Sequence, residues 1–121
     1  MKDLTPEEKQ VIIHKGTEPP FSGEYNNFFK EGRFVCRRCG NPLFLSEAKF
    51  KSGCGWPSFD EHIKGSVLRV PDTDKSRTEI ICAVCKAHLG HVFEGENLTN
   101  KNVRNCVNSL SIEFVPKKNV E

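Results

Sequence analysis

Residues 33–40 read "RFVCRRCG" and residues 78–85 read "TEIICAVC". Each is a run of strand-forming residues that closes in two cysteines at CxxC spacing. A CxxC at a tight turn aims two sulfurs at one point, and two such knuckles supply four thiolates, a closed tetrahedral shell for Zn²⁺. Cys36, Cys39, Cys82 and Cys85 are therefore the candidate ligands of one zinc, and a shell with no open position makes that zinc structural. The 42 residues between the knuckles are more than a zinc ribbon usually carries, so the metal would clip together two distant parts of one domain. Two other readings compete. The pairs could be independent redox or core cysteines, and His88 and His91 follow Cys85 at spacings that would suit a mixed Cys/His shell.

Outward from the knuckles the chain is short strands and turns. "RFVC", "PLFL", "SVLRV", "TEIIC", "GHVF" and "LSIEF" are strand-like and are split by Gly, Pro, Asn and Asp. In the last, Leu110, Ile112 and Phe114 alternate with Ser111 and Glu113, the period of a half-buried strand. "LTPEEKQVIIHKG" predicts one helix, with Thr5 as N-cap, Pro6 in the first turn, Glu8 completing a capping box and Gly16 as the stop. "TEPPFSGEYNNFFKEG" mixes turn formers with aromatics and reads as an irregular segment wrapping the core. The expected fold is mainly β and antiparallel, with a short N-terminal helix. It forms a single domain over residues 1–121, of which 1–20 are helix and arm.

The composition excludes several classes of function. A formal net charge of +2 gives neither nucleic acid nor a membrane surface a partner. The mean hydropathy of −0.51 and the lack of a long apolar run exclude a helical membrane span. The opening "MKDLTPEEKQ" has no apolar signal core, so the expected location is the cytoplasm. In a reducing compartment, six cysteines are metal ligands or redox catalysts rather than a disulfide framework.

Cys54 and Cys106 are left over. Cys54 lies in "SGCGWPSF", residues 52–59, between two glycines and two residues from the only tryptophan, Trp56. Trp56 is either a core residue or the wall of a site for a small sulfur-bearing group. Cys106 lies in "RNCVNS", residues 104–109, with Arg104 and Asn108 two residues to either side. On an extended strand those side chains share a face with the thiol, where positive charge and donors favour the thiolate. Cys54 has no such escort in the sequence. The two thiols are either inert or an attacking and a resolving cysteine. His88 and His91 are either structural or proton donors to a leaving oxygen.

Together, "SGCGWPSF", "HLGHVF", "RNCVNS", the two CxxC pairs and the opening "LTPEE…TEPPFSGEY" resemble the methionine-R-sulfoxide reductases, the B-type enzymes, over nearly the whole chain. The resemblance implies two antiparallel sheets in a zinc-stabilised β-tent. It implies reduction of methionine-R-sulfoxide, preferably in oxidised proteins, with thioredoxin as reductant and a monomeric enzyme. It makes Cys106 the nucleophile and Cys54 the resolving cysteine. Trp56 would face the substrate methyl group. His88, His91 and Asn108 would hold the sulfoxide and its waters, and Arg104, Phe93 and Glu94 would shape the substrate site. Asn105 stands where an aromatic residue is common in that family. "EGEN", residues 94–97, is a shortened version of a segment that usually carries an Asp before a Gly, with Glu94 nearest that place. The alternatives are a zinc-ribbon nucleic-acid module, which lacks a basic face, a non-catalytic zinc scaffold for protein interaction, and a sensor that releases zinc on oxidation.

Overall fold

A computed structural model describes residues 1–72 and 76–117. Helix α1 spans Pro6–Ile12. Thr5 Oγ1 accepts from the Glu8 amide at 3.2 Å and Glu8 Oε1 accepts from the Thr5 amide at 3.0 Å, which is the expected capping box. The helix stops short of Gly16. Lys15 turns left-handed at φ 60°, and the Gly16 amide folds back to the Gln10 carbonyl at 2.8 Å.

Nine strands follow: β1 Gly32–Cys36, β2 Pro42–Leu45, β3 Lys49–Phe50, β4 Ser58–Phe59, β5 Val67–Pro71, β6 Thr78–Cys82, β7 His88–Glu94, β8 Val103–Val107 and β9 Ile112–Pro116. They form two antiparallel sheets, one ordered β2-β1-β9 and one ordered β3-β4-β8-β7-β6-β5. Of "LSIEF", only Ile112 onward is strand, because residues 109–111 make a turn of 3₁₀ helix.

Aromatic packing joins the sheets. Phe59 of the large sheet stacks on Phe44 at 4.3 Å and meets Phe34 edge-on at 5.2 Å, and both of these lie in the small sheet. All three are fully buried, with Leu43, Ile80, Leu89, Val107 and Ile112 around them. Tyr25, from the aromatic-rich segment after the helix, packs on Phe34 at 5.5 Å and on Phe28 at 5.2 Å. That segment wraps the core as its composition suggests.

The knuckles form the second join. Cys36 ends β1 in the small sheet and Cys82 ends β6 in the large one. Both turns close alike: the Gly40 amide donates to the Cys36 carbonyl at 2.8 Å, and the Lys86 amide to the Cys82 carbonyl at 2.9 Å. Gly40 and Lys86 are both left-handed, at φ 83° and 67°.

β7 and β8 leave no room for a side chain at Gly90. A Cβ placed on Gly90 would stand 1.9 Å from the Cys106 carbonyl oxygen, so only glycine allows this spacing. Gly90→Ala must push the two strands apart. The expected cost is about 1–3 kcal/mol, the usual range for overpacking. Urea unfolding measures it, and an unchanged midpoint would show that the close approach is not required.

Candidate active site

Residues opposite one another on antiparallel strands share a face and bring their Cβ atoms to within about 4.5–5.5 Å. Cys106 is opposite Ser58 on one side and His91 on the other, and His91 is opposite Glu79. One row across four strands therefore reads Ser58, Cys106, His91, Glu79. Two residues along, Arg104 and Phe93 are opposite each other on the same face. The alternate positions point into the core. Asn105 is there, fully buried between Phe59 and Val92, with its amide donating to the Phe59 carbonyl at 3.1 Å. The residue that departs from the family pattern thus faces away from the thiol.

A cavity of about 130 Å³ opens over this row. Cys54, Trp56, His91, Phe93, Arg104, Cys106 and Asn108 all line it, as do Thr17 and Arg77, which sequence reasoning missed. A larger hollow of about 590 Å³ beside Arg33, Ser46 and Lys117 holds neither a thiol nor a histidine.

The two sulfurs are 4.0 Å apart. Cys54 does have an escort: the Ser52 hydroxyl donates to its sulfur at 3.0 Å, and the Ser58 hydroxyl lies at 3.5 Å. A hydrogen bond from Cys106, together with those hydroxyls, holds the Cys54 thiol down to about 4. Cys106 is pushed up, because its proton is bonded to Cys54 and because it is buried, while Arg104 opposes the rise. One contact between the two sulfurs is the main cause of both shifts, down for Cys54 and up for Cys106. Sequence spacing could not show this, because Ser58 reaches Cys54 only through the fold of the loop.

Arg104 donates two hydrogen bonds to Glu96, at 2.8 and 3.1 Å, and its guanidinium stacks on Phe93 at 4.5 Å. Glu94 does not join them. It is the next residue after Phe93, so its side chain takes the other face and pairs with Arg69 at 3.3 Å. Glu96 is the acid at this end of the site.

In a regular strand His88 and His91 would face opposite ways. A register shift opposite Ile80 and Ile81 leaves Leu89 as an extra residue in β7 and turns His88 to the His91 side. The rings meet edge-on at 5.7 Å. His88 itself is buried behind the cavity. Its Nδ1 bonds Glu79 at 2.7 Å, and its Nε2 has no partner among the described residues. His91 Nε2 bonds Asp72 at 3.2 Å. Burial, followed by the charge of Arg77, holds His91 below its ordinary value, against the pull of Asp72. With both imidazoles engaged here, neither belongs to the cysteine cluster.

Glu18 is a further residue that the sequence hid. It is 4% exposed, and its carboxylate accepts from the amides of Ser109 and Leu110, both at 3.0 Å. Its own amide donates to Asn108 Oδ1 at 3.1 Å, and its carbonyl accepts from the Trp56 indole at 2.9 Å. Asn108 also donates to the Leu89 carbonyl at 3.2 Å. One arm residue thus fixes both Trp56 and Asn108.

The Sγ atoms of Cys36, Cys39, Cys82 and Cys85 lie within 4.8 Å of one another, with Cys36–Cys85 and Cys39–Cys82 each at 3.6 Å. A tetrahedral shell with Zn–S bonds of about 2.3 Å sets its sulfurs roughly 3.8 Å apart. The four sulfurs sit close to that spacing, and the donor set is one that zinc takes. The Asn41 amide points at Cys82 Sγ from 3.7 Å, a supporting donor of the kind such sites use.

Residues 4–116 match the SelR domain family. The chain is 53% identical over 116 residues to peptide methionine sulfoxide reductase B5 of Arabidopsis thaliana, covering 95% of this chain and 84% of the relative. It is 52% identical over 114 residues to peptide methionine sulfoxide reductase B5 of Oryza sativa subsp. japonica, covering 93% and 84%. The "Yippee-like" domain of Mis18 shares the fold alone, with a TM-score of 0.55 at 15% identity over 74% of this chain and all of that one. With the SelR match spanning nearly every described residue and relatives of this identity, the chain belongs to the B-type peptide methionine sulfoxide reductase family.

Proposed function

We propose that the chain reduces the R epimer of methionine sulfoxide in oxidised proteins, with Cys106 as nucleophile and Cys54 as resolving cysteine. One observation carries the reading. Two thiols 4.0 Å apart line a single cavity with an indole, and a histidine sits directly across from one of them. A binding scaffold would have no use for that arrangement.

The contact between the two sulfurs supports the division of labour. Cys54 accepts the Cys106 proton, which leaves Cys106 as the thiolate beside Arg104. Cys106 is on a central strand, held in register on both sides. Cys54 is on a loop whose Gly53 stands in open space, at φ 78°. The Cys106 sulfur attacks the sulfoxide sulfur, and His91 delivers a proton to the oxygen. The protonated oxygen then passes from the substrate sulfur to Cys106 as the new S–S bond breaks, which releases methionine and leaves Cys106 as sulfenic acid. The Cys54 thiol then displaces that oxygen as water, forming the Cys106–Cys54 disulfide. A protein dithiol such as thioredoxin restores both thiols and is itself oxidised. Trp56 and Phe93 wall the methyl group. His88, tied to Glu79, orients His91 rather than meeting substrate. Cys36, Cys39, Cys82 and Cys85 would hold one zinc, which contributes folding energy and no chemistry.

Cys106→Ser is expected to abolish reduction of the R sulfoxide. Cys54→Ser should slow the first turnover, because it removes the proton acceptor, yet still complete it and stop at sulfenic acid. Rapid-quench counting of methionine formed per enzyme checks this, and turnover by Cys106→Ser would reverse the roles.

If His91 must carry a proton to donate it, the first-turnover rate falls as pH rises through its pKa, which lies below the usual histidine value of about 6.5. Arg77→Ala removes a charge that lowers this pKa, so the fall should move to higher pH. Asp72→Asn removes one that raises it, so the fall should move lower. His91→Ala should cost about 10²- to 10⁴-fold. A stopped-flow profile with no such limb would remove His91 as the acid.

Purified protein should contain one zinc per chain, and Cys36→Ser or Cys82→Ser should lose both the zinc and cooperative thermal unfolding. Elemental analysis together with calorimetry decides it, and a stable, metal-free fold would refute the metal's structural role.

A further inference from the structure

Phe21 is the most exposed aromatic residue near the site, at 67%, and its backbone is left-handed at φ 64°. A bulky residue in that region is strained, and such strain persists only where the surroundings impose it. Here they do. The Phe21 amide donates to the Gly55 carbonyl at 2.7 Å. Pro19 and Pro20 restrict the approach, and the Ser22 hydroxyl returns to the Pro19 carbonyl at 2.6 Å. The ring lies over Gly55, with its edge 3.1 to 3.2 Å from where a Cβ there would stand. Gly55 joins Cys54 to Trp56, and both of these line the cavity. A tight strap therefore holds an apolar ring in water at the rim of the site, where it stabilises no core.

We propose that Phe21 is a specificity-determining residue that takes an apolar side chain flanking the oxidised methionine in a polypeptide. The inference rests on the reading of the cavity as a methionine sulfoxide site. A cavity of about 130 Å³ admits one unbranched side chain and leaves the substrate backbone across its mouth. The rim at Gly55 is then the surface that the neighbouring residue meets. The strap orders the ring beforehand, so binding loses little conformational freedom there. The free amino acid has no flanking side chain and gains nothing from the ring.

The test compares a short peptide carrying Leu beside methionine-R-sulfoxide with free methionine-R-sulfoxide, using dithiothreitol as reductant so that no protein dithiol takes part. Phe21→Ala should raise the peptide KM roughly tenfold, as loss of a well-placed interface aromatic does. The peptide kcat and the constants for the free amino acid should hold. Phe21→Gly keeps the left-handed turn without strain and removes only the ring, so it should match Phe21→Ala, while Phe21→Tyr should behave as the unaltered chain. Three results would overturn the proposal: an unchanged peptide KM, an equal loss on both substrates, or Phe21→Gly behaving as the unaltered chain. A defect seen only when thioredoxin replaces dithiothreitol would also overturn it and give the surface to the reductant. If the unaltered chain reduced neither substrate, the activity itself would fail first, a result separate from any effect of Phe21.

Discussion

Four sulfurs within 4.8 Å of one another, two from each sheet, are the constraint on which the rest of this molecule hangs. Sheet-to-sheet packing alone leaves the sheets free to slide until their side chains interlock. A zinc held by all four, as proposed above, would remove that freedom by tying the end of β1 to the end of β6. The second knuckle also fixes the start of β7. Lys86 turns left-handed to close the second knuckle, Ala87 bonds back to Cys82 at 2.9 Å, and His88 is the next residue. The knuckle thus sets where the strand that carries both histidines begins.

From β7 the order passes to β8 through a spacing only glycine permits. Gly90 lets the strands approach until the Cys106 carbonyl occupies the space of a side chain. That sets His91 and Cys106 side by side. The far wall, Trp56 and Asn108, is set by Glu18. A buried carboxylate without partners would cost several kcal/mol, about what a broken buried ion pair costs. The two amides at the 3₁₀ turn offset that cost only while the arm lies across the site. Glu79 meets the same demand with His88 and Lys15, the latter at 3.2 Å. Two buried acids thus tie the helix end and the arm to the catalytic strands.

The fold class was legible because its signals are local. Knuckle cysteines, turn residues and the Thr5 capping box act within a few positions of one another. β8 was harder to read. Its "VRNCV" carries Arg, Asn and Cys where a half-buried strand would show apolar residues, because one face lines a site and the other buries Asn105. The strand-like "LSIEF" ran too long for a related reason: Leu110 donates its amide to Glu18, and residues 109–111 curl to bring it there. The thiols, Trp56 and His91 could be named from spacing and resemblance. Glu18, Glu96, Asp72, Ser52 and Ser58 could not, since each acts through a contact that only the folded chain creates. Glu94 shows the limit of counting along a sequence: one position along a strand changes the face.

Asn105 shows how tightly β8 is held. Its amide bonds the Phe59 carbonyl, but its Oδ1 lies buried with no partner among the described residues. An unsatisfied acceptor of this kind costs about 1–3 kcal/mol. A strand free to move would rotate that atom toward water. β8 cannot, because β4 and β7 pair with it on both sides and the Gly90 approach fixes its height. The strain is carried on the core face, and the thiol face keeps its geometry. Cys106 is therefore a fixed point of the cavity, and any closing of the 4.0 Å between the two sulfurs falls to the Cys54 loop, which Gly53 leaves open and the arm pins at Gly55 and Trp56.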